Sequence, residues 1–177
     1  MKYLSIVLVC CFATLAYPQI VTPPASQNWI SVLNYGALGD GTHDDTPAIQ
    51  AAVQAAIQGP QTVVYFPPTS SGYLIGTPLV LPSVSHWVKL YLDGAWKVAA
   101  PITLNSFYSI YGNGGSGPAQ FSTNITTYIQ VVNPNLNPVF HISGMKDIHL
   151  QNLLVFFALG GNGDGILIDG SSCCVTL

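Results

Sequence analysis

No feature of this chain constrains its fold more than the stretch from Asn34 to Thr46, NYGALGDGTHDDT, which runs straight into PAIQAAVQAAIQG. Gly36, Gly39 and Gly41 with Asp40, Asp44 and Asp45 make it a polar turn, and a helix opens directly behind it. Asp44, Asp45 and Thr46 are all residue types that cap helix N-termini. Pro47 suits the first helical position, where its missing N–H would have no partner anyway. The spacing places the cap at Thr46. Beyond it, Ile49, Ala52, Val53, Ala56 and Ile57 follow the i, i+3, i+4, i+7, i+8 pattern of one buried face, and Gly59-Pro60 is a stop signal. The prediction is one helix of about three turns.

Tyr35-Gly36-Ala37, Gly39-Asp40-Gly41, Asp44-Asp45-Thr46 and Ala48-Ile49-Gln50-Ala51-Ala52 together resemble the N-terminal signature of the pectate-lyase-like superfamily of right-handed β-helices. That superfamily includes polygalacturonases, rhamnogalacturonase and epimerase relatives, and phage tail-spike depolymerases. The resemblance implies an opening strand, a glycine turn and a helix that plugs the first coil. It implies a fold before it implies a reaction.

A repeat after the helix points the same way without the resemblance. Four segments share two alternating apolar positions, a short turn, and two more: Leu79, Leu81, Val88, Leu90; Ile102, Leu104, Ile110, Gly112; Phe140, Ile142, Ile148, Leu150; Ile166, Ile168, Val175, Leu177. Self-similarity of this kind marks a solenoid. Strands stacked about 4.8 Å apart would align the inward residues into continuous ladders, burying what a single coil cannot. The Gly/Ser/Asn/Thr-rich stretch from Asn113 to Thr127 reads as a loop inserted into one coil. An antiparallel sandwich with similar strand spacing is the competing architecture.

The expected fold is therefore all-β: a right-handed parallel β-helix with one N-terminal capping α-helix. Residues 1–16, with Lys2 ahead of the apolar run Leu4 to Ala16, have the layout of a secretory signal peptide cleaved near Tyr17, and Pro18 cuts that run short of the roughly 20 residues a membrane span needs. Residues 17–33 form an extension and opening strand, and 34–177 the N-terminal part of the β-helix. The repeat predicts a strand where the chain stops, so the segment reads as the first coils of a longer, secreted protein. Cys10 and Cys11 would leave with the signal, and the adjacent Cys173 and Cys174 are poorly placed to bridge each other. All seven acidic residues are aspartates, the four basic ones are lysines, and the net charge is −3. Such a chain has no basic footprint for nucleic acid, and no membrane contact is expected after signal cleavage.

Polygalacturonase-like relatives carry an Asn-Thr-Asp motif, an Asp-Asp pair, a Gly-His-Gly and an Arg-Ile-Lys. Only Asn162-Gly163-Asp164-Gly165 resembles the first of these, with glycine in place of threonine, which leaves Asp164 as the sole catalytic candidate by resemblance. Inverting hydrolysis needs two carboxyl groups about 6.5–9.5 Å apart. Asp169 is the nearest possible partner, yet the glycines around Asp164 fit an ordinary turn. Lyase relatives use an arginine or lysine base and often calcium. The chain has no arginine, so only Lys89, Lys97 and Lys146 remain, and the Asp40, Asp44, Asp45 cluster is accounted for by turn and cap hydrogen bonds.

The residues between the apolar positions on the second strand of each unit, Lys89, Tyr111, His149 and Thr176, are expected to form one outward row. Such a row would suit an extended glycan, with Tyr111 as a stacking platform; an ordinary solvated face is the alternative. His141 is expected outward on the other strand, His43 and His86 fall in turns, and no His/Cys spacing fits zinc. No cofactor is implied. Asn124-Ile125-Thr126 is a glycosylation sequon in a predicted loop. The expected partner is polysaccharide or glycan. The parent protein is expected to act on it, by hydrolysis sooner than by elimination, with this segment inactive alone; the alternative is a non-catalytic glycan-binding or adhesion β-helix.

Overall fold

A computed structural model describes residues 29–112, 127–143, 146–151, 153–157, 165–169 and 173–177. The leader at 1–16, the loop at 113–126 with its sequon Asn124, and Asp164 lie outside the described residues. Three parallel sheets and one α-helix make up the structure. Sheet A holds, in spatial order, β1 (Ile30–Ser31), β3 (Val63–Phe66), β6 (Val88–Leu92), β9 (Tyr108–Gly112), β12 (Lys146–Gln151) and β15 (Cys173–Thr176). Sheet B holds β2 (Asp40–Asp44), β4 (Gly72–Ile75), β7 (Trp96–Val98), β10 (Ile129–Val131) and β13 (Val155–Phe157), and sheet C holds β5 (Leu79–Leu81), β8 (Ile102–Leu104), β11 (Phe140–Ser143) and β14 (Ile166–Asp169). From β3 onward the chain visits A, B and C in strict rotation, so each circuit adds one strand to each sheet.

Alternation decides which residues face inward. In sheet C, Leu79, Ile102, Phe140 and Ile166 pair in one ladder and Leu81, Leu104, Ile142 and Ile168 in the next, as the repeat spaces them. In sheet A the inward ladders are Val88, Tyr108, Ile148, Val175 and Val64, Leu90, Ile110, Leu150. Here the structure corrects the register expected for the second unit: Tyr108, not Ile110, is the partner of Val88. Tyr108 is fully buried and its hydroxyl donates to the Pro82 carbonyl at 2.9 Å. An internal acceptor lets a phenol occupy a core position at little cost.

The rings of Phe66, Tyr73 and Trp96 lock sheets A and B together: Phe66 meets Trp96 edge-on at 5.0 Å and Tyr73 at 5.6 Å. Side chains also stitch one circuit to the last, with Asn105 donating to the Leu81 carbonyl at 2.7 Å and Asn133 to that of Ala99 at 3.1 Å.

The helix α1 (Thr46–Gln58) comes between β2 and β3, the place in the rotation that a sheet C strand takes in later circuits. It packs on β1, β3, β5 and β6 and on a single 3-10 turn, η1 (Val32–Tyr35). Ile49, Ala52, Val53 and Ala56 are fully buried there. The two alanines let the helix approach closely, and burying Ile49 and Val53 contributes about 1.5–3 kcal/mol each. No described helix is long and apolar enough to cross a membrane.

Candidate functional site

The aspartates of the opening turn hold backbone. Asp40 accepts from the Thr42 and His43 amides, both at 2.8 Å, and from the Thr42 hydroxyl at 3.0 Å. The amide bonds from His43 and Thr42 hold its carboxyl below the usual range. Asp45 is buried and accepts three amides, from Leu38 at 2.6 Å, Gly39 at 3.2 Å and Leu74 at 3.2 Å. These bonds tie the turn before β2 to β4. Gly36 ends η1 in the left-handed region, at φ 96°, and Gly39 and Gly41 also have positive φ, which is why the turn is written in glycine.

The structure moves the helix cap by one residue. Asp45 occupies the N-cap position without a side-chain cap bond, and Thr46 is the first helical residue. Asp44 instead serves that helix start, accepting from the Thr46 amide at 3.0 Å, the Thr46 hydroxyl at 2.6 Å and the Gly76 amide at 2.9 Å. Sequence alone cannot rank three adjacent cap-type residues, because β4 supplies the donors that decide. Among the described residues no three His, Cys, Asp or Glu side chains gather to hold a metal.

Burial alone would push the Asp44 carboxyl up, but the bonds from the Thr46 hydroxyl and the Gly76 and Thr46 amides outweigh it and hold the group at about 2, against an ordinary value of 3.8. A carboxylate with a depressed folded value stabilises the fold fully above 3.8, and that contribution is lost as pH falls through about 2. Thermal melts across this window are expected to show a steep acid limb that flattens in Asp44→Asn. An unchanged limb in the variant would refute the assignment.

The outer face of sheet A carries two rows of side chains. Pairing places Val63, Lys89, Ser109 and His149 in one row, with the backbone of Thr176 next in register, and Ser31, Tyr65, Tyr91, Tyr111 and Gln151 in the next. Lys89, His149 and the backbone of Thr176 are thus brought together as expected from sequence. Tyr111 stands apart from them, in the second row, following the Tyr108 register. That shift joins Tyr111 to two tyrosines the repeat pattern did not single out. Extending the alternation by one more pair on each strand would have found Tyr65 and Tyr91.

Both rows are bordered by aromatic clusters. Trp29 lies 5.5 Å from Tyr65 and 5.3 Å from Tyr91 between ring centroids, and the two tyrosines are 6.2 Å apart. The Tyr65 hydroxyl donates to the buried Asp93 carboxylate at 2.7 Å, which fixes the ring. Burial, and then the bond to Asp93, push the Tyr65 phenol well up, so it stays neutral. Trp87, in the turn before β6, touches Phe107 edge-on at 5.9 Å and reaches His149 at 5.0 Å. Phe107 has a left-handed backbone at φ 67°, a costly conformation for an aromatic residue. Ser109, outward by alternation yet only 2% exposed, lies between Lys89 and His149 in the pairing.

Other candidates fall elsewhere. Lys97 is on β7 of sheet B, between Leu74 and Gln130, and His141 is on β11 of sheet C, beside Thr103 and Leu167. His43 is on β2, His86 in the turn before β6, and Lys146 pairs through its backbone with Cys173. Asn162 and Asp164 fall between β13 and β14 in sequence, outside the described residues.

Sheets that are parallel throughout, visited in rotation and closed by an N-terminal helix define the class of protein, and comparison with known proteins gives the family. A family model described as Rhamnogalacturonase A/epimerase, pectate lyase-like, matches residues 29–158, and the chain belongs to that family. It is 48% identical over 69 residues to the plasmin and fibronectin-binding protein A of Streptococcus pneumoniae, a match covering 38% of this chain and 9% of that protein. It also aligns with the crystal structure of PfbA, a surface adhesin of Streptococcus pneumoniae, at 25% identity and a TM-score of 0.40, covering 73% of this chain and 39% of that one. The chain thus spans less than half the length of either relative.

Proposed function

We propose that this chain is the N-terminal part of a secreted or surface-displayed right-handed parallel β-helix whose role is binding, with glycan held on the outer face of sheet A. The observation that carries this reading is the Tyr65, Tyr91, Tyr111 row beside Lys89 and His149. Rings on successive strands, Tyr65 and Tyr91 being 6.2 Å apart and tilted, offer apolar faces to an extended sugar chain, and the polar row beside them offers hydrogen bonds. The aspartates of the opening turn, by contrast, hold local backbone, Asp40 and Asp44 through one oxygen each and Asp45 through both, and Asp93 accepts from a tyrosine. The 48% identity over 69 residues to a plasmin and fibronectin-binding protein supports a binding role, without bearing on the glycan.

The test is calorimetric titration of the purified chain with pectic and neutral oligosaccharides. Tyr91→Ala with Tyr111→Ala is expected to weaken binding about tenfold or more, since each lost stacking contact is worth about 0.5–1.5 kcal/mol beyond area burial. Unchanged affinity would remove the row from the site. Incubation with pectic polymers is expected to yield neither new reducing ends nor unsaturated products.

A second reading has its own support in the family description and in Asn162-Gly163-Asp164-Gly165: the longer parent cleaves polysaccharide, by hydrolysis sooner than by elimination. Reducing ends produced by the parent and abolished by Asp164→Asn would establish it.

A further inference from the structure

Of the family-like signature Tyr35-Gly36-Ala37, the turn explains only two members. Gly36 takes a left-handed conformation and Ala37 is buried, but Tyr35 is 41% exposed and joins no part of the core. Its surroundings give it a use. A depression of about 500 Å³ opens at the end of sheet A, lined by Trp29, Ile30, Asn34, Tyr35 and Gln61. That volume lies within the range of about 300–1,000 Å³ typical of small-molecule sites. Three elements build it: the start of β1, the outward side of η1, and the connection from α1 to β3.

The lining is two aromatic rings, two carboxamides and the apolar Ile30. Each carboxamide offers donors and an acceptor together, which matches the adjacent hydroxyls of a sugar ring, while the aromatic faces match its apolar side. None of these lining residues carries a charge. A uronate carboxylate would give up hydration here with no lysine or arginine among them to replace it. The Trp29 indole that borders the depression is also the one in contact with Tyr65 and Tyr91. The depression therefore continues the aromatic row at its N-terminal end.

We infer that this depression is a terminal subsite for one neutral sugar ring, held between Trp29 and Tyr35 and hydrogen-bonded by Asn34 and Gln61. The inference rests on the glycan-binding reading of sheet A and adds to it both the end of the site and the charge class of its ligand.

Calorimetric titration of the full chain with β-1,4-linked galactose and glucose tetrasaccharides, and with the galacturonate tetrasaccharide, tests it. At least one neutral tetrasaccharide is expected to bind more tightly than the galacturonate one, and Asn34→Ala with Gln61→Ala to weaken it about tenfold or more. Both side chains lie outside the core, so the melting temperature is expected to hold. If that double variant binds as the parent does while Tyr91→Ala with Tyr111→Ala loses binding, the subsite is wrong and the aromatic row stands. Equal or tighter binding of the galacturonate tetrasaccharide overturns the neutral class. No binding of any of the three by the parent chain overturns the subsite and the glycan-binding reading together.

Discussion

Asp45→Ala is expected to lower the unfolding free energy by about 3–5 kcal/mol, because it takes the acceptor from three amides at once, buried or partly buried in the fold. The Leu38, Gly39 and Leu74 N–H groups all point at this one carboxylate. Leaving a buried donor unpaired costs about 1–3 kcal/mol, and the total falls below three times the upper figure because water can reach the amide of exposed Leu38. Urea unfolding gives the free energy, and amide exchange locates it: Leu38, Gly39 and Leu74 should lose protection before the strands of sheet A do. Asp45→Asn keeps an acceptor oxygen but turns an NH2 group toward the remaining donors, so it should fall between. A variant as stable as the parent would mean that other contacts tie the opening turn to β4.

Trp96→Ala is expected to cost about 3–5 kcal/mol, the range for deleting a large buried aromatic side chain. Trp96 is fully buried on β7 and meets Phe66 edge-on, so its loss opens a cavity between sheets A and B. Its indole N–H, however, is buried with no hydrogen-bond partner among the described residues. Trp96→Phe removes that unpaired donor along with some ring volume, two effects of opposite sign, and should cost less than about 1.5 kcal/mol. Denaturant midpoints of the two variants separate these terms. Equal destabilisation by phenylalanine and alanine would show that the six-membered ring is not what fills the space.

Much of the architecture could be read before any coordinates. The helix period over Ile49 to Ala56 identified α1, and the strict two-residue alternation in Leu79, Ile102, Phe140 and Ile166 located sheet C, because both patterns are local consequences of backbone geometry. Sheet B escaped notice. Its inward pairs Tyr73 and Ile75, and Trp96 and Val98, open on aromatic rings with a polar tip, which a purely aliphatic pattern passes over. The candidate site was half legible. The alternation puts Lys89 and His149 in one row, as the structure does, whereas it puts Tyr111 with them because it takes Ile110, not Tyr108, as the partner of Val88.

By itself, then, the sequence determined the kinds of element and their order: a glycine-aspartate turn, one amphipathic helix, and repeating strands with alternating faces. These depend on φ/ψ preferences and side-chain period, which act over a few residues. Tertiary structure alone decided that Asp44 bonds to the helix start while Asp45 bonds to β4, which tyrosine turns inward, and which tyrosines meet Trp29. Those choices depend on donors and rings supplied by neighbouring strands, such as the Leu74 amide for Asp45 and the Pro82 carbonyl for Tyr108. No local preference of a residue encodes the partner that lies one circuit of the chain away.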